Sequence, residues 1–172
     1  MKTIEIDERG FAYKLLYSSS EYGGWARQYV IGIEWHYHGQ LIRIDIQNES
    51  LFREQVSPDG QYLVLIFYQN KQYPDPCNCV VYNPQGQIHR IVCAPYLVSE
   101  QAIAYHQGNR QVLGLIRGAS IRKNATGEEV MFLGIYDPEE YYHSHAFYFE
   151  SREFNPETGE IGPLLGVSLE LR

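Results

Sequence analysis

The chain has 172 residues, enough for one domain with a full core and too few for two. It is 44% hydrophobic but has no apolar run of the ~18 residues a membrane helix needs. The acidic start MKTIEIDERG lacks the positive-then-apolar order of a secretory leader, so a single β-rich domain spanning residues 1–172, soluble and cytoplasmic, is expected.

The formal net charge of −7 is concentrated in one segment. Residues 128–160 hold nine acids against one base, Arg152, whereas the rest of the chain carries a net +1. That asymmetry disfavours direct nucleic-acid binding at the segment, because phosphate would be repelled, and favours a basic partner steered in by opposite charge.

In chain order, period-two or continuous apolar runs rich in β-branched and aromatic residues predict strands over 11–17, 28–37, 40–47, 61–68, 79–82, 88–92, 111–117, 130–136 and 141–150. Turn clusters rich in Gly, Pro, Asn and Asp separate them. Residues 99–108, SEQAIAYHQG, carry a helix signature with Ser99 as N-cap and Gly108 as stop, although the AIAY core also suits a strand. Asn48, Asn83, Asn124 and Asn155 each sit in a turn between two predicted strands, 35, 41 and 31 residues apart, a spacing that suggests repeated small sheets.

The succession LIRIDIQNESLFREQV, SPDG, QYLVLIFY, CVVYNPQGQIHRIV, over residues 40–93, resembles the TolB-like β-propeller repeats, in which SPDG precedes the innermost strand of a blade. The resemblance implies that the strand after SPDG is buried on both faces, with Tyr62, Val64 and Ile66 on one side and Leu63, Leu65 and Phe67 on the other. About thirteen strands fall short of the roughly sixteen that close the smallest propeller. The expected fold is therefore all-β: an open, half-propeller-like stack of two or three twisted antiparallel sheets.

Three constellations are candidates for chemistry. On the strand QYVIGIEWHYHG, alternation places Glu34, His36 and His38 on one face, and a second pair, His143 and His145, follows in YYHSHAFYF. Together they form a candidate metal site, or an acid/base pair for a hydrolase. The cysteines number three, Cys77, Cys79 and Cys93, an odd count that argues for reduced, buried thiols. If the NPQG hairpin pairs residues whose numbers sum to 170, Cys77 faces Cys93 and a disulfide is within geometric reach. No phosphate-cradling loop or nucleophile elbow is present, and no cofactor is expected.

The third constellation is aromatic. Fifteen tyrosines, seven phenylalanines and two tryptophans are many for this length, and several lie within the acidic segment. Rigid aromatics among carboxylates suit the docking of lysine and arginine side chains. The favoured expectation is thus a non-enzymatic protein-binding module whose surface comprises Asp137, Glu139, Glu140, Tyr141, Tyr142, Glu150, Glu153 and Glu157. In size and character the chain is similar to the immunity proteins of contact-dependent growth inhibition systems. That likeness implies a basic toxin, of the nuclease class, as the partner. A small-ligand or carbohydrate receptor, with Trp25 and Trp35 as its probes, is the remaining alternative.

Overall fold

The computed structural model describes residues 5–6, 12–22, 25–46, 51–124 and 126–171. Among the described residues, three antiparallel four-stranded sheets are each built from strands consecutive in sequence, and none is closed. The first contains β1 (Glu5–Ile6), β2 (Tyr13–Tyr22), β3 (Trp25–Tyr37) and β4 (Gln40–Asp45); the second, β5 (Leu51–Val56), β6 (Leu63–Tyr68), β7 (Cys79–Tyr82) and β8 (Ile88–Val92). After helix α1 (Glu100–Tyr105), the third sheet is formed by β9 (Leu115–Lys123), β10 (Glu129–Tyr136), β11 (Ala146–Phe154) and β12 (Ile161–Leu171), with α2 (Pro138–His143) between β10 and β11. Neither helix is long and apolar enough to cross a membrane.

The turns explain why each sheet is a meander. In the hairpins after β7, β9 and β11, the side-chain oxygen of Asn83, Asn124 or Asn155 accepts backbone N–H bonds from residues two to four positions on, and a glycine with positive φ (Gly86 +78°, Gly127 +85°, Gly159 +78°) completes the reversal. Asn48 lies outside the described residues. The SPDG turn works differently. Ser57 Oγ accepts from Tyr62 N at 2.9 Å and Asp59 Oδ1 from Gln61 N at 3.1 Å, while Gly60 adopts φ +70°.

That turn delivers β6 into the interior. Leu63, Val64, Leu65 and Ile66 are fully buried. Leu63, Leu65 and Phe67 pack against Leu15, Ile33 and Trp35 of the first sheet, whereas Val64 and Ile66 pack against Ile116, Leu133 and Ile135 of the third. A strand with apolar neighbours on both faces has no use for polar alternation, which is why residues 61–68 read as a continuous apolar run. Each such side chain contributes about 1.5–3 kcal/mol. The second sheet is thus the shared middle layer, and Gly114, just before β9, lies close to β10 and to the segment that precedes α1. A Cβ at Gly114 would collide with the Ile135 side chain and lie 3.2 Å from Leu97 and 3.3 Å from the Pro95 carbonyl. Gly114→Ala is expected to lower stability by about 1–3 kcal/mol, measured by urea unfolding.

Several sequence expectations need correction. Of the two readings open for residues 99–108, the helix holds, as α1 over Glu100–Tyr105: Ser99 accepts from Ala102 N at 3.3 Å, and Gly108, at φ +90° in the turn that follows, donates to the Ile103 carbonyl at 2.8 Å. The strand expected over 141–150 is instead divided into α2 and the start of β11. Asp137 Oδ1 accepts from Glu139 N (2.9 Å) and Glu140 N (3.2 Å), Pro138 opens the first turn, and the two glutamates favour the helix N-terminus. The strand expected over 111–117 begins only at Leu115.

The cysteine expectation also changes. The register is Cys79↔Val92 through Val81↔Arg90, summing to 171, and shifts by one at Tyr82↔Ile88. Ala94 N donates to the Pro76 carbonyl at 2.9 Å, which brings the ends of the hairpin together, and Cys77 and Cys93 are joined in a disulfide. Cys79 is the free, buried thiol.

Candidate functional site

The acidic segment is continuous in sequence but divided in space. Glu129 begins β10 and Asp137 follows its end, so the two lie some 25 Å apart at about 3.3 Å per residue. The predicted binding residues therefore fall into two groups at opposite ends of the third sheet.

At the α2 end the carboxylates are largely committed. Asp137 is 3% exposed; besides capping α2 it contacts His106 Nε2 at the end of α1. Glu150 is 2% exposed and accepts from Val98 N (2.7 Å), Ser99 N (2.6 Å) and the Arg152 guanidinium (2.6 and 3.0 Å). These two residues hold the fold together and present no charge to solvent. Glu140 accepts from Tyr148 N at 3.0 Å, and Glu139 is exposed.

The tyrosines here already hold a cation, and it belongs to the chain itself. Arg117 makes a bidentate pair with Asp75 (2.7 and 2.6 Å), donates to Tyr142 Oη at 2.9 Å and lies 5.4 Å from the Tyr68 ring and 5.3 Å from that of Tyr141. Burial pushes the Tyr68 phenol up to about 12, so it stays protonated and able to donate to the Arg117 carbonyl. Tyr141 and Tyr142 thus tie α2 to β9.

At the other end the acids converge. A cleft of about 280 Å³ opens between the SPDG turn of the second sheet and the turn at Asn155–Gly159 of the third. Asp59, Glu129, Glu153 and Glu157 line it, with Met131, Phe154 and Tyr62. Glu153 and Glu157 form no ion pair among the described residues. The Tyr62 phenol is raised by desolvation first, then by Glu157 and Asp59, with Arg90 opposing, as expected beside concentrated negative charge. His89 steadies the rim: its Nε2 is 2.7 Å from the Glu157 carbonyl, and its ring lies 5.0 Å from that of Tyr62.

Asp59 and Glu129 were not singled out from the sequence. The available signal was positional: in a meander of consecutive strands, the turns at 57–60 and 155–159 and the start of β10 all lie at one end of the stack. Net charge along the chain does not report this.

The paired histidines do not assemble. His36 is exposed on β3, and His38 occupies the following turn at φ +48° rather than the strand face. Glu34 pairs with Lys14 at 3.4 Å. His143 ends α2 and His145 precedes β11, both exposed, so the second sheet separates the two pairs. Among the described residues, no three metal-ligating side chains form a group that would hold an ion. Trp35 is buried at 3% and donates its indole N–H to the Pro84 carbonyl at 2.7 Å, which removes it from any ligand surface; the Trp25 side chain lies outside the described residues. No protein family, curated protein or solved structure matches the chain.

Proposed function

We propose that this chain is a non-enzymatic binding protein for a basic partner, and more specifically a bacterial immunity protein that acts in the cytoplasm by covering the active site of a cationic toxin of the nuclease class. The observation that carries this reading is the convergence of Asp59, Glu129, Glu153 and Glu157 on one cleft in a chain of net charge −7. Carboxylates held on a rigid sheet junction can occupy positions that a nucleic-acid backbone would take on the toxin, and opposite charge accelerates capture. Glu139 and Tyr142, exposed at the α2 end, extend the surface for a partner wide enough to span the third sheet.

The scaffold belongs to the same proposal. Three meanders in consecutive strand order, with repeated Asn-initiated turns and SPDG before the doubly buried strand, support a half-propeller of TolB-like repeats. Such a stack leaves the cleft between two adjacent blades.

Captured from its cell of origin at low salt, the tagged protein is expected to retain one stoichiometric basic protein, released as salt rises. A partner still held at about 1 M salt, where the screening length is about 3 Å, would contradict an electrostatic mode of capture.

A further inference from the structure

The face of the third sheet turned away from the second carries a groove of about 520 Å³, separate from the acidic cleft except for a shared wall at Glu153. Its floor follows from the strand register. Gly118 pairs with Gly134, Gly134 with Ser151, and Ser151 with Gly166, so one row crosses all four strands with no side chain larger than serine. The stacked Tyr136 and Phe149 rings, 4.8 Å apart, lean over Gly134, so the open part of the row is a trough at Ser151 and Gly166, where Phe132 and Leu165 also line the groove.

Ser151 makes the trough more than a row of small residues. It is only 7% exposed, lines the groove, and its hydroxyl has no protein hydrogen-bond partner among the described residues. Asn78 Oδ1 is the buried side-chain polar atom left without a partner among the described residues, so the Ser151 hydroxyl is open to the groove, where a ligand can replace water on it. The rims carry opposite charges. Arg122, whose guanidinium lies 5.8 Å from the Phe132 ring centroid, and Lys123 stand on the β9 side, with Glu153 on β11; none of the three is in an ion pair among the described residues. β9 and β11 are separated by two strand spacings, roughly 10 Å, which long side chains narrow.

We propose that this groove binds a small zwitterion of the amino-acid or short-peptide class. Its carboxylate meets Arg122 and Lys123, its ammonium meets Glu153, Ser151 hydrogen-bonds its polar backbone, and an apolar side chain lies in the trough. A ligand of a single charge would leave one rim unneutralised. The groove falls within the volume range of small-molecule sites.

Glycyl-L-phenylalanine is a suitable probe, titrated into the full chain and followed by two-dimensional NMR. Saturable shifts are expected at Phe132, Ser151 and Gly166. An added Cβ at Gly166 meets no atom within 4 Å, so Gly166→Val fills the trough without a clash and should abolish the shifts while leaving the rest of the spectrum intact. Arg122→Ala and the ammonium-free probe 3-phenylpropionate should each weaken binding about tenfold, the worth of one charge-assisted hydrogen bond. Absence of saturable shifts with wild type, or shifts that survive Gly166→Val, would overturn the site. Equal binding of 3-phenylpropionate would overturn the zwitterion class. Because Gly166 and Arg122 do not line the acidic cleft, these outcomes are independent of the basic-partner proposal.

Discussion

Glu150→Ala is expected to destabilise the protein by about 3–5 kcal/mol, the cost of stranding a buried charge. The carboxylate holds two backbone N–H groups at the start of α1 and the guanidinium of Arg152, which also donates to the Tyr96 carbonyl at 2.9 Å. With Glu150 gone, Arg152, 6% exposed, keeps its charge without a counterion, and Val98 N and Ser99 N lose their shared acceptor. Glu150→Gln retains an acceptor and the side-chain volume, so it should cost less than alanine. Urea unfolding of the three proteins measures both effects. A loss below about 1 kcal/mol for alanine, the level of an exposed pair, would show that the site is hydrated rather than buried.

The second large effect concerns the Cys77–Cys93 bond. Its sequence separation is 16 residues, and a loop of this length constrains the unfolded chain by about 3 kcal/mol. Cys93→Ser, or reduction by a dithiol, should lower stability by that amount. Thiol counting provides an independent check. Denatured without reductant, the chain should take up one alkylating group, at Cys79, and after reduction three. Natively, Cys79 should react very slowly, since burial pushes its thiol up to about 12 and little thiolate forms at neutral pH. Three groups incorporated before reduction would show that the bond is absent.

Local features with a strong physical cause were legible in the sequence. The apolar run after SPDG predicted a strand buried on both faces, and Leu63–Phe67 are divided between two cores as alternation requires. The Asn-containing turns marked three of the hairpins because the Asn side chain and a positive-φ glycine create the reversal locally. The helix α2 was missed because the aromatic-rich YYHSHAFYF suggests β structure, whereas the cap in Asp137–Pro138 acts over only six helical residues.

The candidate site was less legible because charge per segment carries no direction. Asp137 and Glu150 look like surface acids in sequence, yet each is buried against its own partners. Asp59 comes from a distant turn to join Glu153 and Glu157. The tyrosines proposed as anchors turned out to enclose Arg117, a residue 24 positions before Tyr141 whose role depends on the stacking of β9 against the second sheet.

Capture of a basic protein by negative charge in the cleft can be measured by parallel low-salt capture with wild type, Glu153→Lys/Glu157→Lys and Glu139→Lys. Glu153 and Glu157 make no ion pair among the described residues, so reversing them should leave the fold intact, as circular dichroism can verify. The double reversal is expected to weaken binding of the captured protein by about a hundredfold or more, in the range of close charge pairs across an interface, whereas Glu139→Lys, at the far end of the sheet, should change it by less than about tenfold. Undiminished capture by a folded double variant would contradict the assignment of the cleft as the binding site.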